Sequence, residues 1–328
     1  MADNIIYRTA APGDIENIVS CIRDVHGETY NKEYYAPAYL RTILNNLFLA
    51  AGDGDAAGMM ELAACGYKGQ DSELHTYMVR HDMRRRKIGE SLIGFALNNV
   101  RERGVAEAVK AGAVTLSRNS QRAAGNFGFV ASGMLYGQVF LDDGFGSSPS
   151  GRVFRTKKQA LVMLVKNPRG PDAGVLHLPR ALVPAALGLY KNLGVGFTLG
   201  KEHPVNGGGL SESLLWHNAY EQFRTLDIYI SRHGRDFADR LRELMRTYAH
   251  PLLTMNFFVD MKSPGAVAAY SELTENGCVF AGFAPLCGDR EYLIMHLPGQ
   301  VPILYEEVMF TDRNRKALCG ILGSPFHE

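Results

Sequence analysis

Two α/β halves in one chain of 328 residues are what the sequence predicts, from three observations. Apolar strands of period 2 alternate with helical segments of period 3.6 along the whole chain, the pattern of an α/β protein. A Gly/Ser-rich stretch, Asp142-Asp143-Gly144-Phe145-Gly146-Ser147-Ser148-Pro149-Ser150-Gly151, interrupts it near the middle. At about 150 residues per domain the length suits two units, each able to bury its own core. The expected organisation is a first domain over 1–141, a linker over 142–152 and a second domain over 153–328.

In the first half, residues 5–9 read as a strand, and Asp14 stands where it could cap a helix carrying Ile15, Ile18, Val19 and Ile22 on one face. A tyrosine-rich segment follows from His26 to Tyr39, then a helical stretch through Leu40, Ile43 and Leu47. Strands are expected at 47–51, 57–66 and 73–79. The clearest helix runs from Lys87 to Arg103, with Ile88, Leu92, Phe95, Ala96 and Val100 on one face and Gly104 suited to its C-terminal cap. A strand at 111–116, a short helix at 119–126 and a strand at 129–139 close the half. In the second half, strands at 159–165, 174–178, 225–230, 253–259, 277–284 and 291–296 alternate with helices at 180–192, 234–247 and 264–276.

Hydrophobic residues make up 46% and charged residues 21%, the balance of a folded globular chain. With 35 basic against 34 acidic residues the net charge is +1, so no general field favours nucleic acid or an anionic membrane, and neither is an expected partner. The start, Met1-Ala2-Asp3-Asn4, lacks a basic, apolar leader, and no run approaches about 20 apolar residues. Five cysteines are scattered without a C-x-x-C pair. The expectation is a cytoplasmic chain with reduced thiols and no metal site.

Chemistry concentrates at Met83-Arg84-Arg85-Arg86-Lys87-Ile88-Gly89-Glu90, between a strand and the long helix. A helix N-terminus presents open amides and partial positive charge, so basic side chains there favour phosphate, and Gly89 allows a close backbone approach. A solvated basic turn, or one paired with acidic neighbours, is the competing reading. The stretch Glu73 to Glu90 resembles the acetyl-CoA motif of the GNAT superfamily of N-acetyltransferases. In that family a strand leads into an Arg/Gln-x-x-Gly-x-Gly/Ala loop whose amides hold the coenzyme pyrophosphate. Arg84 and Gly89 fall on its first and last positions, and Lys87 replaces the middle glycine. Ser120-Gln121-Arg122-Ala123-Ala124-Gly125-Asn126-Phe127-Gly128-Phe129 is similar to the helix and Gly-Phe element that closes the fold. Gly27 to Tyr30, Tyr34 to Pro37, Val175 to Pro179 and Pro264 to Pro285 resemble a two-part bacterial subgroup whose second half is a degenerate GNAT fold.

The resemblance implies tandem GNAT-like folds, each a mixed, mostly antiparallel sheet flanked by helices. It implies acetyl-CoA as cosubstrate, with Val79 bonding the pantetheine arm through its backbone and Arg84, Arg85, Arg86, Lys87, Ile88, Gly89 and Glu90 forming the coenzyme loop. It implies acyl transfer to an amine, on a small molecule or a peptide. Glu73 lies 11 positions before Arg84, where some members carry a general base. Strict alternation puts Glu73, His75 and Tyr77 on one face, and His75, with a pKa near neutrality, is the other candidate base. Tyr30, Tyr34 and Tyr35, with Tyr39, suit an acceptor pocket through cation–π contacts, or form a packed aromatic patch. Where many members carry a tyrosine acid this chain has Ala124, which leaves Tyr30, Tyr34, Tyr35 and Tyr136 as unplaced candidates. A non-catalytic acyl-CoA sensor is therefore the alternative. The second half is expected to wall the acceptor cleft or to meet a partner, a second copy or a regulatory protein. Its Asn206-Gly207-Gly208-Gly209 reads as a loop, and His203, His217, His233, His250 and His296 show no metal-ligand spacing.

Overall fold

The computed structural model describes residues 5–27, 36–52, 55–65, 71–104, 108–140, 158–166, 172–201, 212–220, 224–248, 254–297 and 308–323. The first half begins with β1 (Ile6–Thr9), α1 (Ile15–His26), α2 (Pro37–Ile43), β2 (Leu47–Gly52), β3 (Asp55–Cys65) and β4 (Asp71–Val79). It continues through α3 (Ile88–Arg103), β5 (Val109–Val114), α4 (Asn119–Asn126), β6 (Val130–Phe140) and β7 (Lys158–Lys166). Next come β8 (Val175–Leu176), α5 (Val183–Leu193), β9 (Thr198–Leu199), β10 (Leu214–Tyr220), β11 (Thr225–Arg232) and α6 (Phe237–Thr247). The chain then runs through β12 (Thr254–Asp260), α7 (Ala266–Glu275), β13 (Val279–Cys287), β14 (Arg290–Leu297) and α8 (Asp312–Leu322).

Twelve strands form one sheet in the order β1-β2-β3-β4-β5-β7-β6-β13-β14-β12-β11-β10, and β8 and β9 form a separate parallel pair. Within the large sheet only β4–β5 and β11–β12 are parallel, so it is mixed and mostly antiparallel, with helices flanking it. The order contains a repeat. In the first half β4-α3-β5-α4-β6-β7 folds to the strand order β4-β5-β7-β6, and in the second β11-α6-β12-α7-β13-β14 folds to β11-β12-β14-β13. The two units meet edge to edge at β6 and β13 through the pair Gly133 and Gly282. Any side chain there would collide: a Cβ on Gly282, at φ +124, would lie 2.3 Å from the Gly133 Cα.

β7 lies beyond the expected linker, yet it is bonded between β5 and β6 and completes the first unit. A hairpin partner that returns into the sheet cannot be told by periodicity from the first strand of a new domain. The linker itself, 142–152, lies outside the described residues. Three elements had no counterpart in the reading of the sequence: the two-residue β9, β10 at the sheet edge, and α8. Asp14 occupies the N-cap position of α1, but its carboxylate accepts from Arg8 and from the Ala11 amide rather than from the helix.

Three apolar clusters cover the sheet. One, around Ile18, Ile22, Leu47 and Met78, packs α1 and α2 on one face of β2–β4. A second, around Leu92, Ala96, Val109 and Phe129, packs α3 and α4 on the opposite face and continues to Phe258 and Tyr292 of the second unit. The third seats α5, α6 and α7 on Leu226, Ile228, Phe257 and Leu293. The sheet is strongly curved. Thr254 on β12 bonds the Gly137 carbonyl of β6 at 3.5 Å, although three strand spacings, about 14 Å if flat, separate those strands.

Candidate active site

β4 and β5 pair only at Glu73–Lys110 and Leu74–Ala111. Beyond these, β5 continues along β7, and the remaining edge of β4 has no strand partner among the described residues. The split coincides with a bulge: the β3–β4 register shifts between Met59 and Glu61, and Thr76 adopts φ 47. An extra residue in one strand increases its local bend and twist. The bulge also breaks the expected alternation. Glu73 and His75 lie on the face toward Glu61 and Gly112, whereas Tyr77 turns to the α3 face.

At the end of β4 the chain turns through Arg84 to Lys87 into α3. Arg84 Nε donates to the Val79 carbonyl at 3.3 Å, so that carbonyl is already engaged. Arg85 (φ 65) and Lys87 (φ 62) are both left-handed, and Lys87 thus adopts, at about 1 kcal/mol, a conformation glycine takes freely. No side chain caps α3, and its first intrahelical bond runs from the Ser91 amide to the Lys87 carbonyl, leaving the amides of residues 88–90 ahead of it. Arg85, Arg86 and Lys87 are exposed, and among the described residues Arg85 and Lys87 have no ion-pair partner. Glu90 instead accepts from Asn126 at 2.9 Å, tying α3 to α4. The field is basic: burial, then the charges of Arg84 and His81, push His26 down to about 4.

Gly89 has a structural use as well. A Cβ there would sit 1.8 Å from the Tyr77 hydroxyl, which therefore lies on the mouth of α3. Burial and the Glu90 charge push Tyr77 up to about 12, so it is a protonated donor at neutral pH. Tyr77 was not among the expected site residues, because strict alternation hid its orientation.

Glu73 lies over the split, its Oε1 3.0 Å from where a Cβ on Gly112 would stand. His75 sits beside Glu61. Burial lowers its pKa, but the hydrogen bond and charge of Glu61 and the charge of Glu73 outweigh this and hold it above the ordinary value. Glu61, 3% exposed, is a second residue the sequence did not flag. Its carboxylate accepts from Tyr39 (3.3 Å) and Thr76 (3.1 Å) and lies 3.6 Å from His75 Nδ1. The available signal was a lone charge inside the apolar run 56–64. Tyr30, Tyr34 and Tyr35 lie outside the described residues. Tyr136 packs its ring 5.1 Å from His296, and Ala124 is buried in α4.

Among its described residues the second unit shows no such split. β11 and β12 pair at six successive positions without splitting, and at the start of the helix that follows β11 the Asp236 carboxylate accepts from the Ser213 amide and lies 3.7 Å from Arg240. Among the described residues no helix is long and apolar enough to cross a membrane.

Residues 15–129 match the model of the Acetyltransferase (GNAT) family. No curated protein matches the chain. Solved structures similar to it include ribosomal-protein-alanine N-acetyltransferase from Brucella melitensis, 21% identical, covering 49% of this chain and 99% of its own at TM-score 0.40. An N-acetyltransferase from Staphylococcus aureus Mu50 is 17% identical, covering 51% and 99% at TM-score 0.41. The yncA protein from Salmonella typhimurium, solved with its cofactor acetyl-CoA, is 15% identical and covers 51% and 95% at TM-score 0.40.

Proposed function

We propose that the chain transfers an acyl group, acetyl in the simplest case, from coenzyme A to an amine. One observation carries this reading: a strand edge without a strand partner among the described residues opens beside an uncapped, basic helix N-terminus. An extended amide-bearing arm fits the first and a diphosphate the second. The match over residues 15–129 supports the same reaction class.

In this reading the amides of residues 88–90 and the side chains of Arg84, Arg85, Arg86 and Lys87 hold the diphosphate, and Tyr77 donates to it. The arm lies along β4 between His75 and Val79. Glu73, directly or through water, takes the proton from the acceptor ammonium; the freed amine adds to the thioester carbonyl, and collapse of the adduct breaks the C–S bond. The thiolate leaves and takes the proton that the adduct nitrogen still has to lose, directly, through water or relayed by His75. A cytoplasmic setting and a second copy or regulatory protein as partner belong to the same proposal.

Buried Ala124 favours a second reading, a non-catalytic acyl-CoA sensor. Glu73→Gln separates the two. A transferase loses turnover on an amine panel while keeping its affinity for coenzyme A; a sensor binds equally in both forms and turns over in neither.

A further inference from the structure

On the face of the second unit turned away from α5, α6 and α7, one polar row crosses four strands. Asn218 on β10 opposes Asp227 on β11, Asp227 opposes Asn256 on β12, and Asn256 opposes His296 on β14. The residues flanking Asp227 in sequence, Leu226 and Ile228, belong to the helix-covered core, so the row faces the other way. Beside it runs an aromatic row: Trp216 lies 5.3 Å from Tyr229, which stacks on Phe258 at 4.6 Å.

The curvature of the sheet turns this face toward the first unit. Asn256 Nδ2 reaches Gln138 on β6 at 3.0 Å, and Lys110 on β5, the register partner of Glu73, contacts the Cys287 thiol on β13. Asp227 is 6% exposed; its Oδ1 accepts from Asn256 at 2.9 Å, and its Oδ2 has no hydrogen-bond partner among the described residues. Oδ2 keeps some solvent access, so a cation can reach it, and a largely buried carboxylate gains by such a partner. Burial, opposed by the Asn256 bond, and the charge of Glu73 push this carboxyl up to about 7.

We propose that Asp227, flanked by the Trp216–Tyr229 aromatic row, is the acceptor-specificity residue and binds a second cationic group of the acceptor, so that the acceptor class is diamines rather than monoamines. This rests on the transferase reading, in which Glu73 receives the reacting amine. A carboxylate beside aromatic faces is the chemistry that holds an alkylammonium.

The test compares 1,5-diaminopentane with pentylamine on the full chain at saturating acetyl-CoA. The wild type is expected to favour the diamine in kcat/KM by about 10- to 100-fold, through KM rather than kcat. Asp227→Asn should reduce that ratio to near one without changing the dissociation constant for coenzyme A, and Asp227→Glu should restore it in part. Equal use of both amines by the wild type, or an undiminished preference in Asp227→Asn, overturns the proposal. Binding supplies a second readout: with coenzyme A present, the diamine should raise the melting temperature of the wild type and not of Asp227→Asn. No diamine-dependent rise in the wild type refutes the subsite. A rise without turnover of any amine upholds the subsite and counts against the transferase reading alone.

Discussion

At position 87 a lysine stands in a left-handed conformation that a glycine would take at little cost. The side chain thus trades stability for charge at the helix mouth. Lys87→Gly is expected to unfold within about 1 kcal/mol of wild type, on the stabilising side, while binding coenzyme A about tenfold more weakly. Thermal melts and calorimetric titration on the same samples check both halves of that expectation. His75 answers to Glu61. Its pKa is raised in the fold, so its contribution to stability is full below the unfolded value near 6.5 and is lost as pH rises through the folded one. NMR titration should find the imidazole pKa above the ordinary value in the wild type and lower in Glu61→Gln. Glu291, pushed up to about 7 by burial although it accepts from Tyr190 at 2.6 Å, has the same sign. Its stabilising contribution is present below about 4.5 and lost as pH rises through about 7. Glu291→Gln should therefore gain about 2–3 kcal/mol on the wild type between pH 5 and 8 in denaturant melts, and parallel curves would refute this.

Among the elements, the split between β4 and β5 governs the geometry. Gly112 leaves the space into which Glu73 extends, and Gly112→Ala should move that carboxylate, lowering kcat about 10- to 100-fold with coenzyme affinity unchanged. A matched fall in both would show that the residue serves the fold alone. The strands and helices around the site were legible because β4 reads as a strand, α3 has a clear apolar stripe and Gly104 ends it at φ 62. The basic loop was legible for the same reason, since its place between those elements follows from their periodicity. The bulge was not. One inserted residue at Thr76 reverses the face of Tyr77, and no local composition marks it. Glu61 was hidden because its partners, Tyr39, Thr76 and His75, are brought to it by pairing distant in sequence.

For the molecule as a whole, two copies of one topology share a sheet, and among the described residues only the first shows the split. That repeat was legible merely as two α/β halves. β7 falls after the Gly/Ser-rich stretch, and α8 carries its information in contacts with the first unit: Gln121 of α4 bonds the Met309 carbonyl at 2.7 Å and accepts from Asn314 and Thr311. The seam at Gly133 and Gly282 admits no side chain, so Gly282→Ala should cost about 2–4 kcal/mol, far more than alanine at open Gly188, as chemical denaturation would register. Whether the helix mouth grips a diphosphate is decided by calorimetric titration of the full chain with coenzyme A and with pantetheine, which shares the arm but lacks the nucleotide diphosphate. Coenzyme A should bind one per chain, more tightly than pantetheine, with affinity that falls with salt and disappears in the Arg85→Glu, Lys87→Glu double variant. Equal affinity of that variant and the wild type for coenzyme A would contradict it.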